Sequence, residues 1–135
     1  MHARYLLDTN IVSYLLKEQM SAVHRHIDER GRDSLVISSI TEAEVFYGIA
    51  NRPGATRLRR AAEGFFATAT VLPWDSAAAR TYGQLRADQE RKGLSLSVED
   101  LMIAAHAMAL GLTLVTHDQV FAFVDGLKTE DWTIA

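Results

Sequence analysis

Short apolar runs alternate with longer stretches of helical periodicity along the whole chain. The apolar runs are "YLL" at residues 5–7, "SLVIS", "TVLPW" and "LTLVT", and "DWTIA" near the end is a weaker fifth. Runs of this length, bounded by turn residues, are typical of buried strands, and their alternation with helices indicates βαβ units. We therefore predict an α/β fold with a central, mostly parallel sheet of four to five strands flanked by helices.

The helical stretches carry recognisable end signals. Gly31 and Gly111 each follow a helical pattern, in the position that glycine favours after a helix. Thr41-x-x-Glu44 and Ser97-x-x-Asp100 both have the form of a capping box, and Asp75 or Ser76 can cap the long middle helix. With no internal repeat and no linker, the pattern predicts one domain over residues 1–135.

Four acidic residues lie where predicted strands and helices meet. Asp8 and Asp118 follow apolar strand patterns, whereas Glu44 and Asp100 are predicted in the first turns of helices. The carboxyl ends of parallel strands share one edge of the sheet, so these carboxylates are expected to meet in one crevice. Two carboxylates ~4 Å apart repel by roughly 4 kcal/mol at an effective dielectric near 20, and some would protonate without a cation. Taken singly, each acid is more typical of a capping or surface group; the combination favours a metal site.

Composition narrows the choice of metal. The chain has no cysteine, which excludes disulfides and thiolate ligands, and its five histidines form no evident zinc site. Carboxylate oxygens favour Mg²⁺ or Mn²⁺. No segment has the length of a membrane span and the N-terminal apolar run is too short for a signal peptide, so we expect a cytoplasmic protein with no membrane partner.

The net charge of −3 is mild, but basic residues are unevenly distributed. The stretch from Arg52 to Arg60 has four arginines and no acid, and Arg86, Arg91 and Lys92 recur on a later helix. Such clusters either bind nucleic-acid phosphates or are solvated helix faces. Sequence patterning leaves both interpretations open.

The segments "LLDTN", "TEAEVFYG", "EDLMIAAHA" and "LTLVTHD", in this order, resemble the motifs of PIN-domain ribonucleases. The closer resemblance is to the VapC-type toxins of bacterial toxin–antitoxin pairs, and it extends through "VLPWD", "LRADQERKG" and "FVDGLKTEDW" to nearly the whole chain. The resemblance implies a single PIN-like nuclease domain.

The resemblance also implies roles for particular residues. Asp8, Glu44, Asp100 and Asp118 would form an acidic quartet that binds Mg²⁺ or Mn²⁺ and catalyses hydrolysis. Asp8 and Asp100 would be the principal metal ligands. Glu44 would ligate the metal or orient a water, and Asp118 would complete the site. A further pair of polar residues is expected to support the acids through hydrogen bonds: Asn10 and Thr116.

The function implied is that of a toxin: a metal-dependent endoribonuclease that cleaves RNA phosphodiesters with a metal-activated water. Its expected partners are an RNA substrate, a cognate antitoxin, promoter DNA only through the antitoxin complex, and a second copy in a homodimer. One alternative is a non-catalytic partner of an antitoxin that acts in DNA regulation. A phospho-receiver domain is a more distant alternative, because the first strand ends in a single acid and no lysine follows a late strand.

Overall fold

The computed structural model describes residues 2–94 and 96–134. Met1, Ser95 and Ala135, which the predicted domain includes, lie outside the described residues. Within that part of the chain there are five strands: Tyr5–Leu7 (β1), Leu35–Ser38 (β2), Val71–Leu72 (β3), Thr113–Val115 (β4) and Thr129–Glu130 (β5). The α-helices are Thr9–Leu16 (α1), Ser21–Arg30 (α2), Ser39–Ala50 (α3), Thr56–Thr68 (α4), Ser76–Arg91 (α5) and Val98–Leu110 (α6). Two short 3₁₀-helices cover Arg32–Ser34 and Gln119–Phe123.

The strands form one sheet in the order β3-β2-β1-β4-β5, and every neighbouring pair is parallel. The prediction of an α/β fold with a parallel sheet of four to five strands is confirmed. The chain proceeds from β1 to β2 and β3 on one side and later places β4 and β5 on the other. The order therefore reverses between β1 and β4, and open α/β sheets bind ligands beyond the carboxyl ends of their strands at such a switch point.

Both faces of the sheet are buried under helices. Leu6, Val36 and Leu114 pack on one face against residues of α5 and α6. Their strand neighbours Leu7 and Ile37 face the opposite side, where residues of α1 to α4 cover them. Side chains alternate between the faces of a strand, and strands of a parallel sheet covered on both sides are apolar at most positions. This explains why the strands appear in the sequence as continuous apolar runs.

Several helix ends follow the predicted signals. Gly31 and Gly111 end α2 and α6 with φ of 87° and 68°, a backbone conformation that glycine adopts without a steric penalty. Asp75 caps α5 by accepting a hydrogen bond from the backbone N–H of Ala78 at 3.1 Å. The prediction of a capping box from Thr41 to Glu44 is wrong, because Ser38 caps α3 and the helix begins at Ser39.

The fifth strand lies earlier in the chain than the sequence pattern predicts. The pattern places a strand at "DWTIA", but β5 is Thr129–Glu130 and Trp132 lies in a turn beyond it. Trp132 is 1% exposed, stacks on His26 and meets Tyr5 edge-on, while the Arg30 guanidinium lies over its ring. The apolar character of this segment thus comes from a tryptophan that packs against α2 and β1 and anchors the C-terminal residues there.

Replacing Trp132 tests this anchor. Because the indole is buried and its removal leaves a cavity, Trp132→Ala should lower the free energy of unfolding by about 3–5 kcal/mol. Ile134→Ala is the control: that side chain is 62% exposed, so a change within about 0.5 kcal/mol is expected. Equal effects of the two substitutions in a urea titration would contradict the anchoring role.

Candidate active site

The carboxyl edge of the sheet brings acids from four separate segments toward the switch point. Asp8 directly follows β1, and Asp118 lies three residues beyond β4, the strand beside β1. Glu44 belongs to α3, which follows β2, and Asp100 lies at the start of α6, the helix that leads into β4. Residues that are far apart along the chain therefore share one edge.

Asp8 is the most enclosed of the four acids, at 5% exposure. Its Oδ1 accepts a hydrogen bond from the Ile11 N–H at 3.2 Å, so Asp8 caps α1, and its Oδ2 accepts one from the Thr116 hydroxyl at 2.5 Å. Burial raises the pKa of Asp8 above its usual 3.8; the Thr116 and backbone hydrogen bonds counter this only in part, and the charge of Asp100 raises it further. A buried carboxyl group held by such donors has a fixed orientation and resists ionisation when no cation is near.

Glu44 is held by a chain of hydroxyls. The Thr9 hydroxyl donates to Glu44 Oε1 at 2.7 Å and lies 3.2 Å from the Thr41 hydroxyl, which must then be the donor to Thr9. Burial is the main cause of a raised pKa at Glu44, Thr9 lowers it, and the charges of Glu99, Asp100 and Asp8 raise it again. Glu44 lies in the second turn of α3, so the prediction that it lies in the first turn is wrong. Its stabilisation comes from Thr9, not from the helix terminus.

Asp100 does lie in the first turn of its helix. Ser97 caps α6 by accepting a hydrogen bond from the Asp100 N–H at 3.1 Å. Burial raises the pKa of Asp100, the Ser97 hydroxyl lowers it, and the charges of Asp118 and Glu99 raise it. Glu99 is exposed beside Asp100 and adds its charge to both Asp100 and Glu44.

Asp118 is linked to Asp8 through one threonine. The Asp118 N–H donates to the Thr116 hydroxyl oxygen at 3.0 Å, and that hydroxyl donates to Asp8. The Asp118 carboxylate is exposed and caps the following 3₁₀-helix by accepting from the Val120 N–H at 3.0 Å. Thr116 therefore fixes the distance between the loop after β4 and the acid at the end of β1.

The residues expected to support the acids behave differently from one another. Thr116 contacts Asp8 directly, whereas the Asn10 side chain is exposed and its backbone N–H is the group that faces Asp8. The sequence patterns do not single out Thr9, although it stands beside Asp8 in "LLDTN". Its hydrogen bond to Glu44 depends on how α1 packs on α3, and no local pattern reports that packing.

Two histidines near this edge have other bonding partners. His106 is 1% exposed and its Nδ1 lies 2.8 Å from the Ser38 hydroxyl, so it is a packed core residue whose pKa is lowered mainly by burial. His117 Nδ1 lies 2.8 Å from Asp131 Oδ2, and the Thr133 hydroxyl is 3.1 Å from the same nitrogen. These contacts connect the loop before Asp118 to the C-terminal segment.

The charge of the four acids is not balanced by neighbouring side chains. Across residues 2–94 and 96–134, none of the four forms a salt bridge with a lysine or arginine. In the same described part of the chain, no three acids or histidines are drawn close enough to share one ion. Burial, with a smaller contribution from the charge of neighbouring acids, raises the pKa values of three of them: Asp8, Glu44 and Asp100. A set of carboxylate oxygens without a basic partner fits a hard divalent cation.

Comparison with known proteins identifies the family to which this chain belongs. The family model described as the PIN domain matches residues 5–127. The chain belongs to the PIN-domain family. This PIN domain is 37% identical over 131 residues to the tRNA(fMet)-specific endonuclease VapC of Shigella flexneri, covering 96% of this chain and 98% of that relative.

Solved structures agree in fold as well as in length. The DNA-bound VapBC structure from Salmonella typhimurium superimposes with a TM-score of 0.90 at 34% identity, covering 96% of this chain and 98% of that chain. VapBC2 from Rickettsia felis, bound to a DNA fragment from its promoter, gives a TM-score of 0.88 at 29% identity, covering 95% and 98%. Membership of the PIN-domain family goes against the phospho-receiver alternative.

No helix in the described part of this PIN domain combines the length and the apolar character needed to cross a membrane. Helix α6, which carries Asp100, ends after 13 residues.

The raised pKa values predict how stability depends on pH. An aspartate with a raised pKa binds more protons in the folded than in the unfolded state, so stability falls as pH rises from the usual 3.8 through the folded pKa. Asp8→Asn removes this loss of stability, so it should raise the melting temperature at neutral pH in the presence of chelator. The difference from the unsubstituted protein should disappear below pH 3.8, where Asp8 is protonated in both states. A lower melting temperature for Asp8→Asn at neutral pH would show that Asp8 is stabilising when ionised.

Proposed function

We propose that this PIN domain is a metal-dependent endoribonuclease and the toxin of a toxin–antitoxin pair. The observation that carries the proposal is that four acids from separate segments lie at the carboxyl edge of the sheet, within electrostatic range of one another and without a basic partner in the described residues. Hydrolases that act on phosphodiesters use such acids to hold divalent cations. Full-length similarity to proteins named as ribonucleases and as a tRNA-specific endonuclease supports the same activity.

The four acids would hold Mg²⁺ or Mn²⁺. A bound divalent ion supplies a Lewis acid for the phosphodiester and a water that is acidic enough to act as a nucleophile. Asp8 and Asp100 are proposed as the principal ligands, and Glu44 as a further ligand or the group that orients the water. Asp118 is proposed to complete the site. Thr116 and Thr9 hold Asp8 and Glu44 in place, and Asn10 is proposed as an additional support.

Activity with defined variants tests this proposal. Asp100→Asn, which keeps the shape and removes the charge, should lower RNA cleavage in Mg²⁺ or Mn²⁺ by roughly 10²–10³-fold. Asp8→Ala and excess chelator should abolish it. Glu63→Gln is the matched control, because that acid is exposed on α4, outside the four positions. Glu99→Gln separates the neighbouring acid from Asp100 and should have a much smaller effect.

A binding measurement complements the cleavage assay. Mg²⁺ or Mn²⁺ should raise the melting temperature of the unsubstituted protein as the site saturates. The same ions should raise the melting temperature of Asp100→Asn much less. Saturation without any RNA cleavage would favour the alternative, a non-catalytic partner that acts only in DNA regulation. Cleavage that persists in chelator and in Asp8→Ala would contradict a metal-dependent nuclease.

The partners follow from the same assignment. The VapBC structures from Salmonella typhimurium and Rickettsia felis are DNA-bound toxin–antitoxin assemblies, which supports a cognate antitoxin for this chain and contact with promoter DNA through that complex. An RNA substrate, a homodimer and a cytoplasmic location complete the proposal.

The antitoxin proposal has its own test. Co-purification with the product of the adjoining gene should suppress Mg²⁺-dependent RNA cleavage, and removal of that product should restore it. Size-exclusion chromatography with light scattering then reports whether the freed chain is a dimer. An adjoining product that binds but leaves cleavage unchanged would contradict the antitoxin role.

A further inference from the structure

A trough leads away from the acids between α1 and α3. Thr9 and Glu44 line one end, where they share the 2.7 Å hydrogen bond, and Lys17 and Arg52 line the other. Both helices therefore carry a polar contact near the acids and a cation near their own carboxyl ends. The remaining lining residues are grouped along the walls and floor: Ser13, Leu16, Val45, Gly48, Ile49, Asn51 and Leu58.

Helix geometry sets most of the distance between the two ends, because Lys17 directly follows α1 and Arg52 lies two residues beyond α3. Thr9 to Lys17 and Glu44 to Arg52 are both separated by eight positions, or about two helical turns. Two turns correspond to roughly 11 Å along the helix axis. The cations therefore lie further along the trough than the acids, at a distance beyond the reach of a direct salt bridge to Glu44.

The two cations are available to a ligand. Lys17 and Arg52 are exposed, and neither forms a salt bridge within residues 2–94 and 96–134. The later basic cluster is different, because Arg86, Arg91 and Lys92 each pair with a nearby acid. Lysine near a helix carboxyl end also interacts favourably with the helix dipole, but that interaction leaves the ammonium group open to solvent.

Gly48 keeps the middle of the trough open. It lies on α3 one turn beyond Glu44, and a Cβ placed there would meet no atom within 4 Å. Glycine inside an exposed helix lowers helix stability, and no close packing contact explains its presence here. A side chain at this position would project into the space between the acidic and basic ends.

We propose that this trough binds the RNA strand beside the cleavage position, with Lys17 and Arg52 contacting backbone phosphates and Gly48 leaving room for the strand. The inference rests on the proposed ribonuclease function. A chain whose repeating unit is a phosphodiester matches the arrangement, because one phosphate lies at the acids while a phosphate further along meets the cations. The Ser13 hydroxyl, which also lines the trough, suits the sugar between them.

Binding of a fluorescent single-stranded RNA in chelator, where metal-dependent cleavage is blocked, tests the cations. The double variant Lys17→Ala/Arg52→Ala should weaken binding by roughly tenfold or more at low salt and flatten the dependence of log K on log salt by about 1.4. The control Lys128→Ala/Arg80→Ala removes the same charge from exposed positions outside the trough. It should change the RNA affinity and its salt dependence much less than Lys17→Ala/Arg52→Ala does. Equal losses in the two double variants, or no loss in the first, would overturn the proposal.

Gly48 provides an independent test that leaves both cations intact. Gly48→Glu should weaken RNA binding strongly, and Gly48→Gln, of the same size without the charge, more modestly. Gly83→Glu is the matched control, because Gly83 is also an exposed helical glycine, lies on α5, and has no atom within 4 Å of the place that a Cβ would take. Melting temperatures show that each variant is folded. Unchanged binding by Gly48→Glu would overturn the assignment of the trough.

The ribonuclease proposal and the trough proposal can be contradicted independently. Under Mg²⁺, loss of the cations should raise KM for RNA with little change in kcat, since the removed contacts act equally on bound substrate and transition state. A wild-type protein that cleaves RNA through Asp8 but whose RNA affinity does not depend on Lys17, Arg52 and Gly48 would leave the ribonuclease function intact and overturn the trough. Loss of antitoxin affinity with unchanged RNA affinity would assign the trough to protein docking and would equally overturn it.

Discussion

The burial of several carboxyl groups side by side at the carboxyl edge of the sheet is the constraint on which the arrangement of this protein depends. Asp8, Glu44 and Asp100 all have raised pKa values, with burial as the first cause and the charge of neighbouring acids as a further one. The fold nevertheless holds them near one another, because each is fixed by donors from its own segment or a neighbouring one. The remainder of the chain supplies the folding free energy that offsets this local cost.

The hydroxyl groups that hold Asp8 and Glu44 bridge elements that already pack against each other in the fold. Thr116 joins the end of β1 to the loop after β4, and Thr9 joins α1 to α3. Because β1 and β4 are neighbours and α1 packs on α3, each hydroxyl crosses between elements that are already in contact. A carboxylate supported in this way has little freedom to turn away from its neighbours, so the negative charge is kept concentrated until a cation neutralises it.

The sequence predicts those parts of the site that depend on local structure. Asp8 follows an apolar strand and caps the next helix, and Ser97 caps the helix that carries Asp100; both are short-range relations. The Thr9–Glu44 hydrogen bond spans 35 positions and appears only once the helices are packed, so no local pattern reveals it. The same limit explains Trp132, whose apolar ring favours a strand in the sequence pattern although its burial against His26 and Tyr5 is a tertiary contact.

Helix α3 connects the acidic edge to the trough. Glu44 lies on the same helix as Gly48, and Arg52 follows two residues beyond its last turn. Since an α-helix has a fixed rise, α3 sets most of the spacing between Glu44 and Arg52, and the turn after α3 sets the rest. Helix α1 repeats this spacing with Thr9 and Lys17 on the other wall. A substrate bound at the cations would therefore be placed at the acids mainly by two helices of fixed rise, and such positioning lowers the entropic cost of bringing the scissile bond to the acids.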